Sequence, residues 1–330
     1  MSAILVGGSD GTRIRACVAA LAAAFLSAGL AGQRQLTVPA TESRVAVDHT
    51  ALYVRVAGRG QPMIVLHGGP DFDTAYLLPE LDQLTDAYRL IYYDQRGRGK
   101  SADGVRPEDV TLASDLADLD TIRTHFRIDA PVLLGHSWGT VLALEYALRN
   151  PSRVSRLILM NPAPVSASQL AVLRKSYVEQ LGSGMDRQRE IMASAAYKAG
   201  DPDTVAARYR IHFRHGLRQA VDYDKLMTRM SAQFHAQGAS GILKAWAIES
   251  RLYRDTWDRA DYDLLPKLHT LRTPVLVIAG EHDFIPPAIA AQIAGALPNA
   301  TLATIKDCGH FSYLECGSDV RKAIDNFLSR

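Results

Sequence analysis

The chain has 330 residues, of which 47% are hydrophobic and 22% charged, and a formal net charge of +2 at neutral pH. That length suits one large domain, or one domain carrying a sizeable insertion, around a substantial core. The near balance of charge, with no dense Lys/Arg cluster, argues against a nucleic-acid partner, and neither an internal repeat nor a low-complexity linker interrupts the chain.

Residues 1–32 stand apart. Arg13 and Arg15 precede "ACVAALAAAFLSAGLAG", an apolar, charge-free, alanine-rich run that ends in Gly29-x-Ala31. Basic, then apolar, then small is the order of a secretory signal peptide. The run is shorter than the roughly 20 residues a spanning helix needs, so no stable membrane insertion is expected. Export to a periplasmic or extracellular space is therefore expected. A true start further downstream, which Asp10 in the leading segment would suit, would instead make the protein cytoplasmic.

Beyond the leader, "ESRVAVDHTALYVRVAG" alternates polar and apolar residues about Asp48-His49-Thr50, a hairpin pattern. Met63–Leu66 and Arg89–Tyr93 are compact apolar runs that end in loops rich in Gly, Asp and Arg. Leu112, Leu116, Leu119 and Ile122 then form one helical stripe within 112–126. Val132–Leu134 reads as a buried strand followed at Trp138 by a helix closing at Asn150-Pro151. Another strand covers Arg156–Met160. Two more, "TPVLVIAGEHD" and "ATLATIKDCGHF", flank a helix at Ala288–Ala296, and a last helix begins near Ser318.

Alternating strands and helices imply an α/β architecture with a mostly parallel central sheet covered on both faces. Chemistry in such sheets collects beyond the carboxyl ends of the strands. The expected organisation is a leader at 1–32, a core of 33–164 with 263–330, and a helical cap at 165–262, where no strand pattern is visible.

Ser137 lies at the junction of a strand and a helix in Gly135-His136-Ser137-Trp138-Gly139. A sharp turn there exposes the hydroxyl and needs small residues two positions to either side, here Gly135 and Gly139. The following helix directs its first N–H groups at developing negative charge. An acid and a histidine follow in order, Asp283 after "VLVIAG" and His310 after "TLATIKD". Beside Ser137 they would supply the carboxylate and the base of an acyl-transfer triad. Gly69, in "VLHGGPD", and Trp138 offer backbone N–H donors for an oxyanion. His67 is expected to brace that loop, and His136 and His282 to be structural.

These motifs resemble the α/β-hydrolase fold and, within it, the prolyl aminopeptidase (proline iminopeptidase) family. The resemblance rests on "HGGP" at 67–70, "DQRGRGKS" at 94–101, "GHSWGT" at 135–140, "GEHD" at 280–283 and "GHF" at 309–311. It implies Ser137 as nucleophile, Asp283 as acid and His310 as base, with Asp94 and Arg96 as ion-paired residues that build a loop. Two departures bear on the substrate: Asp71-Phe72-Asp73 follows "HGGP" where glycine is usual, and His136 occupies a place often held by a small residue. The family holds a substrate's free amino terminus with cap carboxylates. Ile242, Trp246, Glu249 and Tyr253 share one helical stripe, and a carboxylate on that apolar face needs a cation. A substrate ammonium, or Arg251 or Arg254, would serve. Glu190 is a second candidate anchor, Asp71 and Phe72 lie at the mouth of the site, Asp71 and Asp73 are rival anchors from the sheet side or turn formers, and Glu179 is expected to be solvated.

The resulting expectation is a serine hydrolase acting through an acyl-enzyme on a small molecule or short peptide, releasing an N-terminal proline or other residue. A carboxylesterase or carbon–carbon bond hydrolase of the same fold is the first alternative, and a ligand-sensing protein that retains the triad is the second. The triad needs no cofactor. Cys17 would leave with the leader, while Cys308 and Cys316 are expected to be unpaired core residues, although export would permit a disulfide. No set of residues has metal-ligand spacing.

Overall fold

The structure, a computed structural model, describes residues 38–329; the leader lies outside them. Eight strands form one sheet in the order β1-β2-β4-β3-β5-β6-β7-β8. β1 (Ala40–Val47) and β2 (Thr50–Ala57) make the hairpin, and β2 joins β4 (Tyr88–Tyr93) in antiparallel register. From β4 onward, through β3 (Gln61–Leu66), β5 (Val132–His136), β6 (Arg156–Met160), β7 (Val275–Gly280) and β8 (Ala300–Ile305), every pairing is parallel.

Strand chemistry follows position. β5 and β7 are buried along their whole length, as interior strands covered on both faces must be. β8, at the sheet edge, is exposed or half-buried up to the buried Ile305 and accordingly carries threonines. Helix α1 (Leu112–His125) is started by Thr111, whose side chain accepts from the Ser114 N–H while the Ser114 side chain returns the bond. Its four-residue stripe of Leu112, Leu116, Leu119 and Ile122 is buried. Helix α2 (Trp138–Arg149) follows β5 and is almost wholly buried.

Between β6 and β7 the chain forms helices. They include α3 (Ala167–Leu181), α4 (Gly184–Ala193), α5 (Ala195–Lys198), α6 (Pro202–His212) and α7 (Ala220–Asp255). The last is broken at Gly238, whose φ of 63° is non-helical. Only an isolated bridge, Ser166 to Asp263, ties the ends of the insertion together in strand fashion. No helix among the described residues is long and apolar enough to cross a membrane.

Cys308 and Cys316 are bonded to one another, their Cα atoms 6.4 Å apart. This corrects the expectation of two unpaired core residues. The short helix Ser312–Glu315 turns the chain back, bringing two positions that are eight residues apart within disulfide reach. The bond closes the loop that carries His310.

Candidate active site

The turn that holds Ser137 is strained, with φ 54° and ψ −119°, in a region that L-residues seldom occupy. The flanking glycines are required by contact. A Cβ on Gly135 would overlap the Gly139 carbonyl, and one on Gly139 would overlap the carbonyl oxygen of Leu66 on the neighbouring strand. Both neighbours are backbone and cannot swing aside. Gly139→Ala is expected to lower stability by about 2–3 kcal/mol, read as a lower urea midpoint with an unchanged slope. A midpoint equal to that of the parent protein would show that the strand-to-helix approach can relax.

Asp283 and His310 come from the loops after β7 and β8. Their side chains meet, with His310 Nδ1 2.9 Å from Asp283 Oδ1 and 3.0 Å from Oδ2. Because a carboxylate only accepts, Nδ1 carries the proton and Nε2 is left as the basic nitrogen. Asp283 is held in turn by the Ile285 N–H at 2.8 Å and by Asn161 Nδ2 at 2.9 Å. Asn161 follows β6 with a positive φ of 49° and is fixed by Ser312 Oγ donating to its Oδ1 at 2.6 Å. The His310 N–H donates to Gly216 O, in the connection between α6 and α7, at 2.7 Å. Ser137 and His310 line the same cavity, of about 140 Å³. His310 Nε2 makes no hydrogen bond among the described residues. In such sites contact between base and nucleophile often tightens only when substrate is bound.

Two backbone donors are free in the same place. Neither the Gly69 N–H, on the cavity wall, nor the Trp138 N–H, at the start of α2, has an acceptor among the described residues. The loop that carries Gly69 is braced by the second glycine-rich segment. Gln95 donates from its backbone to His67 Nε2 and from its side chain to His67 O. His67 Nδ1 then donates to Gly68 O, and burial holds the ring neutral by lowering its pKa to about 3. Arg98 reaches Pro70 O at 3.0 Å and pairs with buried Asp115 at 2.6 Å. Arg96 pairs with Asp118, whereas Asp94 accepts from Thr74 and from the Lys100 N–H.

His136 connects the parts of the site. Its Nε2 donates to His310 O, so its Nδ1 accepts from the Tyr76 hydroxyl, which accepts in turn from the Gly68 N–H. Burial keeps His136 neutral, its pKa well below the ordinary value. This relay ties the Gly69 loop to the His310 loop without offering a second base. His282 is exposed beside Glu281 and Asp307.

The cap side of the cavity is charged. Glu249 and Asp71 both line it, together with Arg208, Tyr209 and Tyr253. Asp71 accepts from the Tyr209 hydroxyl at 2.6 Å. Burial raises its pKa, as it does that of Glu249, which burial and then Asp71 push up to about 8. Neither Arg251 nor Arg254 pairs with Glu249; the cation acting on it is Arg208, from α6. Phe72 packs against Tyr76, Tyr209 and Phe213 on the cavity wall. Asp73 caps the turn at Thr74 by accepting from the Ala75 N–H, and burial followed by Asp94 raises its pKa to about 7. Glu190 is a correction: its carboxylate is exposed and paired with Arg187 on the same helix, outside the cavity. A helix of alternating charges such as α4 turns that face to water. Glu179 is exposed as expected.

Comparison with known proteins agrees with this architecture. A family model described as alpha/beta hydrolase fold matches residues 61–315. The chain is 27% identical over 273 residues to a proline iminopeptidase of Lactobacillus helveticus, covering 80% of this chain and 89% of that one. It resembles the crystal structure of the proline iminopeptidase of Mycobacterium smegmatis with a TM-score of 0.63 at 24% identity, over 88% of this chain and 98% of that one. It also resembles a thermophilic esterase from Thermogutta terrifontis with a TM-score of 0.66 at 21% identity, over 88% and 98% of the two chains. At these identities the two structures establish the fold.

Proposed function

The chain belongs to the alpha/beta hydrolase fold family, and from that premise we propose that it is a serine hydrolase that releases the N-terminal residue of short peptides or amides. The observation that carries this reading is the cavity itself. Ser137 and His310 share it with two carboxylates, buried Asp71 and half-buried Glu249, which suit a substrate's terminal ammonium. Ser137 Oγ would attack the carbonyl carbon as its proton passes to His310 Nε2. The oxyanion would take the free N–H groups of Gly69 and Trp138. Collapse would expel the amine, protonated by His310, and leave an acyl-enzyme. Water, deprotonated by the same nitrogen, would then attack the acyl carbon, and Ser137 would recover its proton.

The volume of about 140 Å³ is close to the roughly 150 Å³ of an engineered cavity that binds benzene. One small ring such as pyrrolidine would fit, and a long folded chain would not. Export is part of the reading. It is supported by the order of residues 1–32 and by the Cys308–Cys316 bond, which suits an oxidising compartment.

Glu249 supplies a pH test. Its carboxyl takes a proton below about 8, and an ammonium needs the ionised form. KM for an aminoacyl amide is therefore expected to fall as the pH rises from about 6 to about 8. Above that the substrate's own α-amino group, with a pKa of about 7.7–8.0, loses its proton and the gain ends. An ester without an amine should show no such fall. Proline and alanine 2-naphthylamides would be compared with p-nitrophenyl butyrate, using the protein and Glu249→Gln. The expected result is amide turnover whose KM rises about tenfold in Glu249→Gln, with the pH trend gone and the ester unaffected in KM.

A second reading, an esterase, is favoured by the same high pKa: a protonated Glu249 leaves room for a neutral acyl group. Ester turnover without amide turnover, and a silent Glu249→Gln, would select it. Failure of both substrates would leave the ligand-sensing alternative.

A further inference from the structure

The cavity holds one cation, and its partners are missing. Arg208 projects from α6 into the space lined by Ser137 and Glu249, and its Nε is buried without a hydrogen-bond partner. No hydrogen bond or ion pair to any described residue involves its guanidinium. The nearby carboxylates feel its charge but make no hydrogen bond to it: Asp71 accepts from the Tyr209 hydroxyl at 2.6 Å, and Glu249 has Tyr253 beside it. The charge lies over the ring of Tyr209, 4.4 Å from its centroid, and a ring face leaves the in-plane N–H groups free.

A guanidinium offers five donors in a planar fork and stays charged at any ordinary pH. With its Nε buried and unpaired, the fork lacks a partner, and a carboxylate satisfies such a fork with two parallel bonds. From this geometry we infer that Arg208 is a specificity-determining residue that binds a carboxylate on the group entering the cavity. The preferred substrates carry a negative charge on the acyl side of the scissile bond.

Within the aminopeptidase reading this selects an N-terminal residue with an acidic side chain, its ammonium at Glu249 and Asp71 and its carboxylate at Arg208. Within the esterase reading it selects half-esters of dicarboxylic acids. The inference rests on Ser137 chemistry in this cavity and is independent of whether the bond is amide or ester. A separate cavity on the cap, of about 800 Å³, is lined by Arg210, Arg214, His215 and Arg218, a positive field of the kind that draws anions toward a protein.

The test uses p-nitrophenyl half-esters of succinate, glutarate and adipate beside p-nitrophenyl butyrate, and glutamyl and aspartyl 2-naphthylamides beside the alanyl one. The full chain would be compared with Arg208→Met and Arg208→Lys. The expected kcat/KM ratio of the best carboxylated substrate to its neutral counterpart is about 100 or more. It should fall to near one in Arg208→Met and to an intermediate value in Arg208→Lys, which keeps the charge and loses the fork. Calorimetric titration with glutarate needs no turnover and should show binding that Arg208→Met abolishes.

A preference among the half-esters with no cleavage of any naphthylamide would keep this inference and end the aminopeptidase reading. A neutral preference in the parent protein would overturn it. So would a ratio that Arg208→Met leaves intact, or glutarate binding that is absent or survives the substitution; Arg208 would then serve only to offset the charge of Glu249 and Asp71.

Discussion

Replacing Ser137 with alanine is expected to lower kcat for every ester or amide turned over by about 10⁶-fold, the scale seen when a serine nucleophile is removed. Stability should barely change. The hydroxyl is not part of any network holding the turn, and its backbone conformation, φ 54° and ψ −119°, is imposed by the strand-to-helix junction. Alanine has the same Cβ and no less freedom there. A p-nitrophenyl ester gives the rate. A mass increase equal to the acyl group, absent from Ser137→Ala, identifies the covalent intermediate. Retention of more than about 1% of activity would assign the nucleophile elsewhere.

Asp283→Asn carries the second-largest expected loss, about 10⁴-fold in kcat with KM little altered. Asp283 is an acceptor three times over, from His310 Nδ1 at 2.9 Å, Asn161 Nδ2 at 2.9 Å and the Ile285 N–H at 2.8 Å. An amide has one oxygen for those three donors, and its NH₂ group must face one of them. If it faces His310, the imidazole turns to the other tautomer and Nε2 carries the proton, so the base is lost. The negative charge that would stabilise the imidazolium disappears in either orientation. Steady-state kinetics with circular dichroism to confirm folding would check it. A loss below about tenfold would mean that His310 takes its orientation from the Gly216 carbonyl and the loop alone.

Much of the site was legible because its residues lie at fixed points of a repeating unit. In a parallel sheet each strand delivers its last residue to the same edge. Ser137, Asp283 and His310 could therefore be placed beside one another from three strand ends and their order. The elbow glycines were legible for a related reason, since close backbone approach admits no substitute for hydrogen at Gly135 and Gly139. Asn161 was missed, although it too follows a strand, β6, and a polar residue at such an end was the available signal. Its role depends on Ser312, 151 residues away, a distance no local pattern spans.

The cap resisted more strongly. Helical periodicity separates a buried face from a wet one, and so marked Glu249 as an oddity on an apolar stripe. It does not say which neighbouring helix that face meets. Glu190 stood behind Glu249 as a second candidate; the structure pairs it with Arg187 in water and leaves Glu249 half-buried near Asp71. Arg208 carried no signal at all. It sits in "AARYR" among several arginines, and only the packing of α6 against α7 separates it from Arg210, which faces another cavity.

The α/β architecture, the strand that ends at Ser137 and the meeting of Asp283 with His310 could thus be read from the sequence. These follow from short-range rules of backbone geometry and hydrophobic period. The tertiary structure alone decided which charges share the cavity, because ion pairing and desolvation depend on distances between segments far apart in the chain.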